Sequence, residues 1–246
     1  MTAMPIHYLR KLTSRDRTDA ANRQLGLSLA LVAGAANAGG FLAVGQYTSH
    51  MSGIVSAMAD DIVLSRWTLV GAGLGALLAF LSGAATSAIL INWGRRRQAH
   101  SEFALPLVLE AILLLGFGLM GAAMSRHDVV LVPATVALLC YIMGLQNAMI
   151  TKISRAEIRT THVTGLVTDI GIELGRLCYW NQAGPLPPVK ANRERLQLLS
   201  ALLGMFFLGG LLGAWGFNTL GFVASVPLAG LLLLLAAVPV WDDLRH

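Results

Sequence analysis

The sequence is poor in charge. Asp, Glu, Lys and Arg make up 13% of its 246 residues, about half the share that a soluble globular domain carries. An ordinary water-soluble fold is therefore excluded as the first reading. Cysteine is also scarce: Cys140 lies inside an apolar run and Cys178 lies beyond one, so no disulfide framework is indicated. There is no Gly-x4-Gly-Lys-Ser/Thr loop, which removes nucleotide-driven work by this chain alone. HExxH, a nucleophile elbow and clustered His/Cys spacings are missing as well. We therefore expect no enzyme, no bound metal and no cofactor. The polar, basic start is followed by a run of full span length, not a short h-region, so a cleaved signal peptide is not expected.

What the chain has is long apolar stretch. Its residues are 55% hydrophobic and its mean hydropathy is +0.65. A bilayer crossing takes about 20 apolar residues. Leu25–Tyr47, Trp67–Trp93 and Val129–Ile150 contain no charge, and Phe103–Met124 contains only Glu110. Leu196–Trp241 is an uncharged run of 46 residues, too long for one crossing. The turn-like GFNTLGF (Gly216–Phe222) is expected to divide it in two. That gives six spans, with the lipid bilayer as the principal partner.

The pI near 9.7 has a topological explanation. With six crossings and a cytoplasmic N-terminus, sixteen of the 18 Lys and Arg residues fall inside, leaving Arg66 and Arg126 outside. Eight crossings would spoil that bias, and the bias sets orientation. We expect both termini in the cytoplasm and no nucleic-acid partner.

A polar cassette occurs twice. YTSHMSGIVSAMADDI (Tyr47–Ile62) is echoed by RTTHVTGLVTDIGIEL (Arg159–Leu174). Upstream of each stands Gly-x-x-Asn-Ala, with Asn37 in GAANA and Asn147 in GLQNA; the offsets are 110 for this block and 112 for His50 and His162. Three crossings per half is an odd number, so the second copy must be upside down. Inverted repeats with interrupted segments at matching positions are typical of secondary transporters. The expected architecture is an all-α polytopic bundle of two inverted three-span repeats, each with a short broken or re-entrant helix. Residues 1–24 form a basic cytoplasmic segment, 25–124 the first repeat and 125–246 the second.

The blocks GAANAGGFLAVGQYTSHMSG and MGLQNAMITKISRAEIRTTHVTG resemble the two signature blocks of the YoaK family, also called domain of unknown function 1275. The resemblance covers nearly the whole chain and implies a six-span bacterial inner-membrane protein. It implies no particular activity. It also implies an acidic residue where Asn37 stands and Asn where Ile54 stands, and this sequence departs from both.

Aligned from their histidines, the cassettes pair Ser52 with Thr164, Gly53 with Gly165 and Asp61 with Glu173. Eleven residues of helix turn through about 1,100°, so each His and its carboxylate share a face. Asp169, two turns beyond His162, joins that face. Ser49 and Thr161 suit N-caps, and the glycines allow close backbone approach. Helix starts attract anions, and imidazole near carboxylates can relay protons. One reading makes the cassettes half-helices lining a solute path. The other makes them interfacial helices facing headgroups. Their placement on opposite membrane sides argues against pooled ligands unless both dip to the midplane. Glu110 is a candidate coupling carboxylate or a buried acid bonded to a neighbouring helix. Asn37 and Asn147 either hold backbone near a solute or bond across helices.

Small residues recur every four positions, as in Gly71, Gly75, Ala79 and Gly83. Such faces serve helix packing, within one chain or in a homo-oligomer. The functional expectation is a permease that moves an unknown small solute or ion by alternating access, coupled to protons or another ion. The path candidates are Asn37, His50, Ser52, Gly53, Asp61, Glu110, Asn147, His162, Thr164, Gly165, Asp169 and Glu173. A passive channel and a non-transporting scaffold or sensor are the alternatives.

Overall fold

A computed structural model of the chain describes residues 19–97, 103–124, 128–154, 160–181 and 187–243. The basic stretch 1–18, Arg126, Arg159 and part of the Pro-rich connection fall outside the described residues. Every long element is an α-helix: α1 Asp19–Val44, α2 Met51–Val63, α3 Trp67–Arg96, α4 Ala104–Met124, α5 Asp128–Ile153, α6 Val163–Cys178, α7 Arg193–Leu220 and α8 Ser225–Asp243. Among the described residues there is no strand. Helices satisfy their own backbone polar groups, which is what lipid demands of a crossing segment.

Five stretches are long and apolar enough to cross a membrane: Ala20–Val44, Trp67–Arg96, Ala104–Ala123, Val132–Ile153 and Arg193–Ala237. They mark a multi-pass membrane protein. The last is 45 residues long, and the chain breaks inside it. The break falls at Gly221, the far end of the turn expected at Gly216–Phe222. Gly216 stays helical because α7 continues to Leu220, whereas Gly221 takes φ 62° and opens the 3-10 turn Gly221–Ala224. Leu69, Leu74, Leu78, Leu81 and Ile89 are exposed on α3, as suits a helix facing acyl chains.

The helices touch through glycine. On α1, a Cβ added to Gly34 would strike the Phe206 carbonyl oxygen of α7, and one added to Gly209 would strike the Leu31 carbonyl of α1. The same exchange joins α3 and α5: Gly83 backs onto the Tyr141 carbonyl and Gly144 onto that of Phe80. Between α4 and the α8 entry, Gly118 and Gly121 make room for Ser225 and Phe222. Without side chains at these points the backbones approach closely enough for dispersion contacts to hold them. Gly71 and Gly75, by contrast, have nothing within 4 Å of an added Cβ. Only part of that stripe is used within the chain.

Leu25, Leu29, Leu107, Leu114, Ile142 and Met149 are fully buried in the main apolar cluster. The order of buried, half-buried and exposed positions along residues 22–40 recurs without a change along 132–150. The offset is the 110 residues already seen for Asn37 and Asn147. Residues at matching positions on α1 and α5 thus share the same degree of burial.

Candidate functional site

Each cassette ends a loop and starts a short helix. Contrary to the expectation for Ser49 and Thr161, the N-cap positions are His50 (φ −92°, ψ 68°) and His162 (φ −85°, ψ 62°), and neither side chain caps its helix. The preceding hydroxyls are engaged elsewhere. Ser49 Oγ donates to Asn37 Oδ1 at 2.9 Å, and Thr161 Oγ1 donates to Asn147 Oδ1 at 2.7 Å. These bonds tie each cassette to the long helix before it, α1 or α5. Asn147 also donates from Nδ2 to the Met143 carbonyl at 2.7 Å. The asparagines therefore act as cross-links between a span and its cassette.

The cassette glycines have a definite task. A Cβ on Gly53 would collide with the His50 ring, and one on Gly165 with the His162 ring. Each imidazole folds back over the first helical turn and occupies the space that the missing side chain leaves. Close approach was legible in the sequence; that the approaching group is the histidine itself was not.

The two cassette starts meet. A cavity of about 850 Å³ is lined by Asn37, Ser49, His50 and Ser52 from one half and by Asn147, Thr161, His162 and Thr164 from the other. The opposite-side placement argued against such pooling. The structure pools them because α2 and α6 both begin at the cavity and run away from it. Phe80 and Phe206 add an aromatic wall from each half, with Tyr47, Met51 and Val163 completing the lining. No Asp, Glu, Lys or Arg is among these residues. The first-turn N–H groups of α2 and α6 receive no cap from their N-cap side chains, so the partial positive ends of two helices lie at this cavity. With its hydroxyls, amides and imidazoles, it can hydrogen-bond a small polar solute on several sides. A volume of this order is that of a small-molecule site.

The carboxylates lie elsewhere. Asp61 sits 3.9 Å from Arg66, at the start of α3. Glu173 is buried and anchors the start of α7: Oε1 accepts from Arg176 at 2.8 Å and Oε2 from the Asn192 N–H at 2.8 Å. Asn192 in turn caps α7 by accepting from the Arg195 N–H at 3.0 Å. Asp169 pairs with Arg195 at 2.9 Å. Glu110 is fully buried on α4, between Leu107 and Leu114 in sequence, and lines neither of the cavities described.

A second chamber, of about 750 Å³, adjoins the first. His162 and Thr164 line both, while Gly165, Asp169, Arg195, Arg23 and Glu194 belong to the second alone. Arg23 and Glu194 are 3.7 Å apart. Among the described residues no group of three or more His, Cys, Asp or Glu is placed to hold a metal ion.

Phe80 and Phe206 escaped notice in the sequence. Their signal is a third match, Phe-x-x-Gly at 80–83 and again at 206–209, weak in itself because Phe and Gly are common in apolar helices. Among known proteins, a family model described as Protein of unknown function (DUF1275) matches residues 25–238. No curated protein and no solved structure matches the chain.

Proposed function

The chain belongs to the DUF1275 family, and from that membership and the geometry above we propose that it is a membrane permease with six crossings and two inverted halves. One observation carries the reading: cassettes from the two halves bring equivalent Asn, hydroxyl and His groups to a single cavity. The matching burial order of α1 and α5 and the reciprocal glycine contacts support the same duplication.

The 45-residue stretch is read as two crossings about the break at Gly221. Its second part, α8, has 19 residues, about 28 Å at 1.5 Å per residue, close to the thickness of the hydrocarbon layer. Helices α2 and α6 have 13 and 16 residues, or about 20 and 24 Å. They are read as half-helices that enter the membrane without crossing it. Three crossings per half then put the copies in opposite senses. Both termini are cytoplasmic in this topology, and the membrane is a bacterial inner membrane.

Alternating access follows from two equivalent half-sites that can be exposed in turn on opposite sides. The imidazoles are the groups assigned to proton coupling, and the reading gives the chain no catalytic step. Asp61 and Glu173 become anchors of the half-helices in place of solute contacts.

The test is flux into proteoliposomes carrying an internal pH dye, under gradients of small monocarboxylates, neutral amides and amines. Wild-type protein should give saturable, pH-dependent uptake of one class, and His50→Ala with His162→Ala should abolish the pH dependence. Conductance without saturation would make the protein a channel. Absence of movement for every class would refute transport.

A further inference from the structure

Two chambers separated by a single helical turn raise the question of what opens the way between them. The wall is the start of α6: His162 and Thr164 face both spaces. Two polar ties hold α6 against α7. One, at the far end, is the buried Glu173, which holds the Asn192 N–H and Arg176. The other lies one turn nearer the wall, where Asp169 holds Arg195 at 2.9 Å. The two ties differ in strength. Glu173 is buried and its bond to the Asn192 N–H is the part that reaches α7, whereas the side chains of Asp169 and Arg195 are 39% and 50% exposed, so water competes more strongly for the second tie than for the first. Helix α6 is thus firmly pinned to α7 at Glu173, lightly fastened to it at Asp169, and held at the wall itself by the Thr161–Asn147 bond to α5.

The other half has no such fastening. Ala57 stands at the position matching Asp169, and Leu69 at the position matching Arg195, reckoned from the offsets of His50/His162 and Gly83/Gly209. The first-half acid, Asp61, reaches only Arg66 in the turn beyond its own helix. The charged chamber is likewise built from second-half residues, with Arg23 of α1 its contribution from the first.

We propose that the charged chamber is the aqueous mouth of the central cavity on the side where α6 ends, and that the Asp169–Arg195 pair is a latch on the wall between them. With the pair made, the first turn of α6 keeps the two spaces apart. With it broken, α6 tilts about Glu173, gives up the Thr161–Asn147 bond and carries His162 and Thr164 aside. The chamber's cations and carboxylates are paired with one another, Arg195 with Asp169 and Arg23 with Glu194, so the mouth admits a hydrated polar solute without sorting it by sign of charge. Selection is left to the uncharged cavity beyond. The proposal rests on the permease reading for its purpose, but its test does not need a transported solute.

Ser52 lines the central cavity and not the charged chamber. A Ser52→Cys variant in a Cys178→Ser background therefore reports passage through the wall when a membrane-impermeant thiol reagent is applied in sealed vesicles from the chamber side. Buried Cys140 serves as the folding control, since its labelling exposes a misfolded variant. Arg195→Gln should raise the Ser52→Cys labelling rate roughly two- to fivefold, the shift expected from loss of a half-exposed ion pair. The exchange Asp169→Arg with Arg195→Asp should return the rate toward that of the intact latch. Reagent applied from the opposite side should show no dependence on Arg195. Equal labelling with the pair intact or broken, or an exchange as fast as the single variants, would overturn the latch. Failure of the flux assay with latch-dependent labelling would refute transport and leave the latch standing.

Discussion

Replacing Gly34 by Ala adds one methyl group where α1 lies against α7. The new Cβ would meet the Phe206 carbonyl oxygen and stand 2.9 Å from the Gly210 backbone nitrogen. Backbone atoms of a packed helix cannot swing aside as a flexible side chain can. The helix itself gains, because Ala is about 1 kcal/mol better than Gly in a helix interior. Against that, an extra methyl forced into a filled contact typically costs about 1–3 kcal/mol, and relief here requires two long helices to part. With backbone atoms on both sides the cost should lie in the upper part of that range, about 2–3 kcal/mol, so the contact should win with a net loss of about 1–2 kcal/mol. At roughly 2–4 °C per kcal/mol for a chain of this length, the melting temperature should fall by about 2–8 °C. Gly144→Ala, which meets Phe80 in the same manner, should behave alike. Gly71→Ala is the control: its Cβ enters open space, so propensity acts alone and stability should hold or rise by up to about 1 kcal/mol. The assay is thermal unfolding of detergent-purified protein at one scan rate, followed by exposure of Cys140 to a thiol-reactive dye. If Gly34→Ala melts together with Gly71→Ala, close backbone approach is not what holds α1 to α7.

Two further outcomes follow from the site. Gly53→Ala or Gly165→Ala should displace the adjacent imidazole and lower initial flux about tenfold or more, while melting moves by no more than about 2 °C, since the ring can turn away and the helix gains propensity; a flux equal to wild type would detach the histidines from the path. Glu173→Gln removes a buried carboxylate that accepts two bonds and should cost about 1–3 kcal/mol, read as a lower melting temperature. An unchanged melt would show that the start of α7 is held by other means.

Much of the fold could be read from the chain because lipid leaves few choices. Runs such as Leu25–Val44 must be helices, and the Asn37/Asn147 spacing is the one at which the burial order of α1 recurs on α5. The site was harder to see. Periodicity placed His50 and Asp61 on one helix face, yet it could not say that the histidine would take the N-cap position with its ring folded over Gly53 and that the acid would reach forward to Arg66. Those outcomes depend on the chain beyond α2, where Arg66 opens the next span. The same holds for Ser49 and Thr161: local preference makes each an N-cap, but a bond to an asparagine on another helix competes and wins. The small-residue stripes marked places of contact without naming partners. Gly34 and Gly71 look alike in sequence, and only one faces another backbone.

The reciprocal glycine contacts also set a timetable for assembly. Gly34 meets its counterpart on α7 only after most of the chain has been made, and at about 5–20 residues per second the wait is roughly ten to thirty-five seconds. Through that interval α1 stands with its tightest seam unfilled, while α3 waits for α5 only about 3–12 seconds. Neither half can finish its own interior, so the newborn protein depends on whatever insertase or lipid keeps those early helices from marrying strangers.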